Sequence, residues 1–326
     1  MRERVFSGMR PTGKVHIGHL VGVLEKWMEL QKEYDCFYSI VDWHAMTTDF
    51  EDPSELKENI FQLLADWLAI GLDQENSVIF LQSQVKEHAE LHLLLSMLVP
   101  MPWLERNPTL KEQVRETHIS KINYGLMGYP VLQASDILMY KGNKVPVGVD
   151  QLPHLEIIRE IVRSFNRLYK PIFPEPQEIL TKTPKLLGID GRKMSKSLDN
   201  CIYLADPPEV IREKVHQMVT DPQKIRRGDP GRPDICSVFH YQQIFSPGKI
   251  EDVRHGCEAG TLGCVENKNN LAKTLADYLG PYRERREQLI GSQEKLKEIL
   301  EYGANKARPI AQQTMHEVRE VIGLWS

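Results

Sequence analysis

Two short runs in this chain carry residues suited to handling a polyphosphate. The first is Gly13-Lys14-Val15-His16-Ile17-Gly18-His19-Leu20. Its two imidazoles can donate hydrogen bonds to phosphate oxygens, and Gly13 and Gly18 let the backbone approach a ligand closely. The run follows a β-type stretch, Arg4-Val5-Phe6-Ser7-Gly8-Met9, and precedes Leu20, Val23, Leu24, Trp27 and Met28 at helical spacing. This pattern predicts a turn that leaves a strand and opens a helix. A helix N-terminus offers unpaired N–H groups and the positive end of a dipole, both favourable to phosphate. The second run, Lys193-Met194-Ser195-Lys196-Ser197, ends a charged stretch without periodicity, 188–197. Two flexible ammonium groups there can close over a triphosphate and neutralise charge that builds on a leaving pyrophosphate. An α-phosphate held between the runs would need positioning and charge stabilisation more than covalent help.

Further sets of polar residues stand in apolar surroundings. Tyr129, Gln133 and Asp136 occur among Leu132, Ile137 and Leu138 in a helical stretch, 124–140. Arg226, Arg227 and Arg232, then Arg283, Arg285 and Arg286, form local basic clusters, the kind of group that contacts nucleic-acid phosphates without reading bases.

The elements that must position these residues alternate. Strands are expected at 4–9, 35–41, 77–81 and 145–151, with helices between them. Asp52 and Pro53 read as the N-cap and first turn of a helix with an apolar face of Leu56, Ile60, Leu63, Leu64, Trp67 and Leu68, ended by Gly71. A second helix runs from about His88 to Val99, and a third from His154 to Tyr169. The stretch 102–117 is mixed, charged and helical in part, and 171–176 reads as a loop. Strand–helix alternation is the pattern of an α/β, doubly wound parallel sheet, whose ligands sit at the C-terminal strand ends. The stretch Gly8 to Gly18, the run 42–44 and Gln82-Ser83-Gln84 all fall at such ends. A new regime begins near residue 200. A helix opens at Asp206-Pro207 with Ile211, Val215 and Met218 inward, and helical apolar faces follow from Asn270 onward. The expected organisation is a Rossmann-like catalytic domain, 1–199, and an α-helical domain, 200–326.

Composition sets the class. The chain has 326 residues, 41% hydrophobic and 26% charged, with a formal net charge of −4. This is ordinary globular composition. No apolar run approaches the roughly 20 residues a bilayer span needs. The N-terminus leads directly into a strand with no signal-peptide core, so a cytoplasmic protein without membrane partners is expected. Five Cys without small-scaffold spacing argue against a disulfide framework.

A His-Ile-Gly-His tetrad followed by Lys-Met-Ser-Lys-Ser resembles the paired signatures of class I aminoacyl-tRNA synthetases. The stretches Phe6-Ser7-Gly8, Val41-Asp42-Trp43-His44-Ala45, Tyr129 to Leu138 and Val145 to Gln151 further resemble the bacterial tryptophanyl-tRNA synthetases, from Val5 to about Asp221 and more loosely beyond. The resemblance implies tryptophan and MgATP as substrates, tRNA(Trp) as acceptor, and a homodimer with tRNA spanning both subunits. His16, His19, Lys193 and Lys196 would be catalytic. Arg10, Gly18, Gly148, Asp150, Lys193, Met194 and Ser195 would contact ATP. An indole slot would be walled by Phe6, Gly8, Val41, His44, Val145 and Val147, with Asp136 accepting the indole N–H. Tyr129, Gln133 and Gln151 would face the ammonium. A site that satisfies one polar hydrogen rejects a ligand lacking it far more strongly than an apolar pocket rejects a missing methylene.

The chain also departs from the family pattern. Arg10 stands where Gln is frequent, Val149 where Glu is, and Gln133 where Met is common. Many bacterial members carry Asn in place of His19 or Thr in place of His16. Some carry a four-cysteine iron–sulfur motif ending in Cys-x-x-Cys. Here Cys236, Cys257 and Cys264 match three positions, and Asn267 stands at the fourth. Four thiolates normally hold such a cluster, so free thiols in a retained loop are expected rather than iron–sulfur. Three cysteines with His240 or His255 remain an arrangement that zinc could use. The rival functions are a tyrosyl-tRNA synthetase, a catalytically retired paralogue acting as a binding protein, and a general nucleotidylyltransferase.

Overall fold

The computed structural model describes residues 2–107, 122–180 and 186–325. Five strands form one sheet: β1 (Arg4–Met9), β2 (Asp35–Ile40), β3 (Ser77–Leu81), β4 (Lys144–Val147) and β5 (Gln177–Leu180). Their order is β3-β2-β1-β4-β5 and every pairing is parallel. The order reverses between β1 and β4, which opens a crevice beyond their C-terminal ends, the usual ligand position in such sheets. Gly8 near the end of β1, and Val147 and Gly148 at the end of β4, border it. β2 is buried along nearly its whole length, as expected of a strand covered on both faces.

The sequence reading missed β5. Three of its four residues are exposed, so no apolar alternation announces it. Its place is set by register with β4, Lys144 opposite Gln177 and Val147 opposite Leu180, and by an ion pair between Arg159 and Glu178. Asp52 is not an N-cap. The helix begins later, Leu56–Ile70, and the Asp52 carboxylate accepts from Ser54 N within the preceding turn. Gly71 ends that helix at φ 110°, as expected. Of the helix expected over 102–117, residues 108–117 lie outside the described residues; Met101–Glu105 is helical.

The chain forms two compact units, and a single cut at residue 200 does not reproduce them. One unit comprises Met1–Gly13, Val23–Lys182 and Leu289–Ser326; the other comprises Lys14–Gly22 and Thr183–Gln288. In the first, Phe6, Phe37 and Phe80 surround the Tyr140 ring, and Ala304, Ala307, Ala311, Met315 and Val318 from the long helix Gln293–Ile322 share the same apolar core. In the second, Val15, Ile17, Ile202, Leu204, Ile211, Val215, Phe239, Leu271 and Leu275 are buried.

The 293–322 helix lies directly on β3 because Gly303 has no side chain. A Cβ at 303 would fall 1.7 Å from Ile79 O. In a helix interior, Gly303→Ala would by propensity alone gain about 1 kcal/mol. We expect it instead to destabilise the first unit by about 3 kcal/mol through forced overpacking, read as a lower urea midpoint with an unchanged slope.

Candidate active site

The two signature runs fold together in the second unit. His16 caps the helical turn Ile17–His19, its Nδ1 accepting from His19 N at 3.2 Å. Because Nδ1 accepts, the ring proton sits on Nε2, which remains a donor. The helical run continues through a π-helical turn, Leu20–Leu24, into Glu25–Leu30. The His16 and His19 rings stack with centroids 3.6 Å apart. Burial, and then the Lys196 charge, lower His16 to about 4. Burial, then His16 and Lys196, hold His19 well below the ordinary imidazole range. Both rings are therefore neutral at pH 7 and offer N–H groups, not positive charge.

Backbone hydrogen bonds tie this turn to the segment after the lysine loop: Ile17 N to Ile202 O at 2.8 Å, and Leu204 N to Val15 O at 3.0 Å. Gly18 leaves little room for a side chain. A Cβ there would stand 3.1 Å from His16 Nδ1 and 3.3 Å from Met194 Sδ. The loop itself is pinned by Asn200, a residue the sequence reading passed over. Its Oδ1 accepts from Ser195 N at 2.8 Å, while its Nδ2 donates to Asp190 Oδ1 at 2.8 Å and Lys193 O at 3.1 Å. Met194 is buried, Lys193 exposed and Lys196 half-buried.

The first unit holds the expected amino-acid pocket residues. Phe6 and Gly8 come from β1, Val145 and Val147 from neighbouring β4, and Val41 follows β2. A Cβ on Gly8 would meet Val41 Cγ1 at 2.8 Å. Tyr129, Gln133 and Asp136 share one face of the helix Tyr124–Met139, at i, i+4 and i+7. Asp136 is 1% exposed and saturated with donors. His44 Nε2 lies 3.0 Å from Oδ2, His88 Nδ1 2.6 Å from Oδ1, and Gln82 Nε2 2.8 and 2.9 Å from the two oxygens. Burial alone would raise this carboxyl. The hydrogen bonds from His44 and His88 and their charge interactions overcome it and bring Asp136 down to about 2.

A second polar chain links two expected ammonium contacts. Tyr129 OH lies 2.5 Å from His154 Nε2, and His154 Nδ1 lies 3.0 Å from Gln151 Oε1. Asp150 belongs to the short turn Val149–Gln151 beside Gly148. Arg10 bonds Thr48 Oγ1 and lies 3.5 Å from Ala45 O and 3.9 Å from Asp49; its Nε is buried without a hydrogen-bond partner among the described residues. Sequence reasoning missed His88, Tyr140 and His154 as participants. The position of Gln82 at a strand end was visible, but its pairing with Asp136 across the fold was not.

Cys236, Cys257 and Cys264 line one small pocket with Lys224, Asp221 and Asn267. Burial raises the Cys236 and Cys257 thiols, and Lys224 Nζ donates to Cys257 O at 2.9 Å. Three thiols, a carboxylate already paired with Arg232, an amide and an ammonium are not the four thiolates of such a cluster. Among the described residues, no group of three or more His, Cys, Asp or Glu side chains is arranged to hold a metal ion.

The parallel sheet of the first unit, ordered β3-β2-β1-β4-β5, is a doubly wound α/β sheet, and the second unit joins a His/Gly turn to the base of a lysine loop. The family described as tRNA synthetases class I (W and Y) matches residues 2–280. The tryptophan–tRNA ligase of Thermotoga maritima is 48% identical over 98% of this chain and 99% of its own. That of Aquifex aeolicus is 44% identical over 98% of this chain and 100% of its own. The structure of tryptophanyl-tRNA synthetase from Campylobacter jejuni complexed with ADP and tryptophan superposes with a TM-score of 0.89 at 35% identity, covering 98% of this chain and 100% of that one. The chain belongs to the bacterial-type tryptophanyl-tRNA synthetases of class I.

Two expectations follow from the geometry. His16 is deprotonated down to about 4 in the folded protein, whereas the unfolded chain binds that proton near 6.5. Folding therefore gains stability as pH rises from about 4 to 6.5 and loses it on acidification, by up to about 3 kcal/mol from this group. His16→Asn, which keeps the cap, should flatten that part of the urea-midpoint profile. Asn200→Ala should lower kcat/KM for ATP by about 10- to 100-fold, because it frees three loop contacts, and leave tryptophan binding by calorimetry unchanged.

Proposed function

We propose that this chain is a tryptophan–tRNA ligase acting on MgATP and tRNA(Trp), as a cytoplasmic homodimer. A tryptophan carboxylate oxygen attacks the α-phosphorus in line, the Pα–O–Pβ bond breaks, and pyrophosphate leaves. A ribose hydroxyl of the tRNA's terminal adenosine then attacks the adenylate carbonyl, gives up its proton, and AMP leaves. The observation that carries this reading is the tie, inside one unit, between the His16–His19 turn and the Lys193–Lys196 loop. Nearly full-length likeness to tryptophan–tRNA ligases supports the amino acid.

In this reading the neutral His16 and His19 rings donate to α-phosphate oxygens, and Lys193 and Lys196 neutralise the departing pyrophosphate. Gly18, Gly148, Asp150, Met194 and Ser195 contact ATP. Phe6, Gly8, Val41, Val145 and Val147 wall the indole, and Asp136 accepts its N–H. The longest of the Asp136 contacts is to His44, so His44 is the donor that shares its oxygen with the ring. Tyr129, Gln133 and Gln151 face the ammonium, and Arg10 contacts ATP. The helical region after residue 200, with Arg226, Arg227, Arg232, Arg283 and Arg285, contacts the tRNA backbone; Arg286, expected with them, is buried and is not part of that surface. Exposed Leu93, Met97 and Met101 on the first unit supply apolar surface of the kind a second copy would cover. No helix among the described residues is long and apolar enough to cross a membrane.

Pyrophosphate exchange run with each standard amino acid separates the alternatives. We expect exchange with tryptophan alone. Exchange with tyrosine alone would move the chain to the tyrosyl enzymes, and no exchange with any would make it a binding protein or a different nucleotidyl transferase. Lys196→Ala should cut kcat by about 100-fold or more while tryptophan affinity holds, since the ammonium acts on charge formed in the transition state.

A further inference from the structure

Neither His88 nor Tyr140 is among the expected substrate contacts, and both are fully buried. Tyr140 OH lies 2.7 Å from His88 Nε2, and His88 Nδ1 lies 2.6 Å from Asp136 Oδ1. We propose that His88, backed by Tyr140, is the positioning residue that keeps Asp136 an acceptor-only carboxylate and so sets the preference for a substrate ring bearing an N–H. This rests on the reading that Asp136 accepts the indole N–H.

The proton positions follow from the donor inventory. An ionised carboxylate only accepts, so His88 Nδ1 carries hydrogen. Burial and the Asp136 charge push Tyr140 well above the ordinary phenol range, so its hydroxyl keeps its proton and can donate to Nε2. Whichever way the Tyr140–His88 bond is directed, His88 Nδ1 donates to Asp136. Other groups face the carboxylate from each packed element. They are His44 from the helix Asp42–Asp49, the Gln82 amide from the turn after β3, and His92, on the same helix as His88, whose imidazole feels both Asp136 and His44. Glu87 acts on Tyr140 from that helix too. Of these contacts the His88 bond is the shortest, and His88 is the only one of the donors held from behind by a further hydroxyl among the described residues.

Removing the His88 donor leaves a fully buried carboxylate short of one partner. Desolvation then raises its pKa. Once protonated, Asp136 presents an O–H to the ring and competes with an N–H instead of accepting it. Recognition of tryptophan would therefore acquire an acid limb, weakening as pH falls, that the wild type lacks. A ring with sulfur in place of N–H would lose less.

The test compares tryptophan with 3-benzothienylalanine in pyrophosphate exchange from pH 5 to 9, using wild type, His88→Leu, His88→Asn and Tyr140→Phe. We expect wild type to prefer tryptophan by about 1,000-fold or more in kcat/KM. His88→Leu should raise KM for tryptophan by about 10-fold at pH 6 with kcat within about 3-fold, and the preference should shrink as pH falls. His88→Asn, whose Nδ2 can replace the donor, should restore most of the affinity and the flat profile. Tyr140→Phe should shift KM a few-fold in the same direction. A folded His88→Leu enzyme with wild-type preference and pH profile would overturn the proposal, as would equal, pH-independent losses for both amino acids. If His88→Leu does not fold, a Tyr140→Phe profile superimposing on wild type overturns it. A wild type that does not discriminate the two amino acids would remove Asp136 as the indole acceptor, which separates failure of that reading from failure of the His88 assignment.

Discussion

One buried negative charge organises the ligand end of the first unit. Stripping water from a carboxylate costs several kcal/mol unless donors replace it, and Asp136 is almost wholly inaccessible. Its donors come from the helix after β2, the turn after β3 and the helix after that turn. The same turn is locked to the β2 end by reciprocal bonds. Trp43 N donates to Gln82 Oε1 at 3.1 Å, and Ser83 N to Asp42 Oδ1 at 3.0 Å. Gln82 thus serves the helix start and the carboxylate at once. The strand ends cannot drift without unsatisfying Asp136, which makes the charge a fixed reference point for whatever lies against it.

The second unit solves a different electrostatic problem. Two stacked imidazoles beside an ammonium would repel it if charged. Burial keeps both neutral, so they contribute directed N–H groups while the lysines contribute charge. Separating direction from charge suits phosphoryl chemistry, in which protein groups position and neutralise more than they react. The hydrogen bonds from Ile17 to Ile202 and from Leu204 to Val15 hold the turn and the loop base in one register.

Strands β1 to β3, and β4 within a few residues, were legible because runs such as Val78-Ile79-Phe80-Leu81 pair apolar character with turn signals. β5 was not, because an exposed edge strand carries little patterning and is defined by its neighbour. The signature runs were legible from residue type alone. The donors around Asp136 were not, because His88 reads as one polar residue at a helix start until the fold brings it beneath position 136. Asn200 was invisible for a similar reason. Its three loop contacts are set by tertiary closure, and the local sequence shows only a change of composition there. Residue 200 marked a real change of pattern, but contacts, not composition, decide compact units.

The helix Gln293–Ile322 shows why that distinction matters for the site. It follows a long helical stretch in sequence, yet it covers β3 and the neighbouring helix of the first unit. Gly303 brings its backbone against Ile79, and a Cβ there would also stand 3.3 Å from Phe80 Cβ. Arg308 donates to Gln84 O at 3.2 Å, and Arg319 pairs with Glu90 on the helix that carries His88. Phe80 in turn sits with its ring centroid 6.0 Å from that of His88 and 5.4 Å from that of Tyr140. The chain's last long helix therefore walls the turn and helix that deliver Gln82 and His88 to Asp136. Close packing transmits such displacements because interiors have little free volume to absorb them. The placement of Gln82 and His88 against Asp136 thus rests on packing that Gly303, late in the sequence, makes possible.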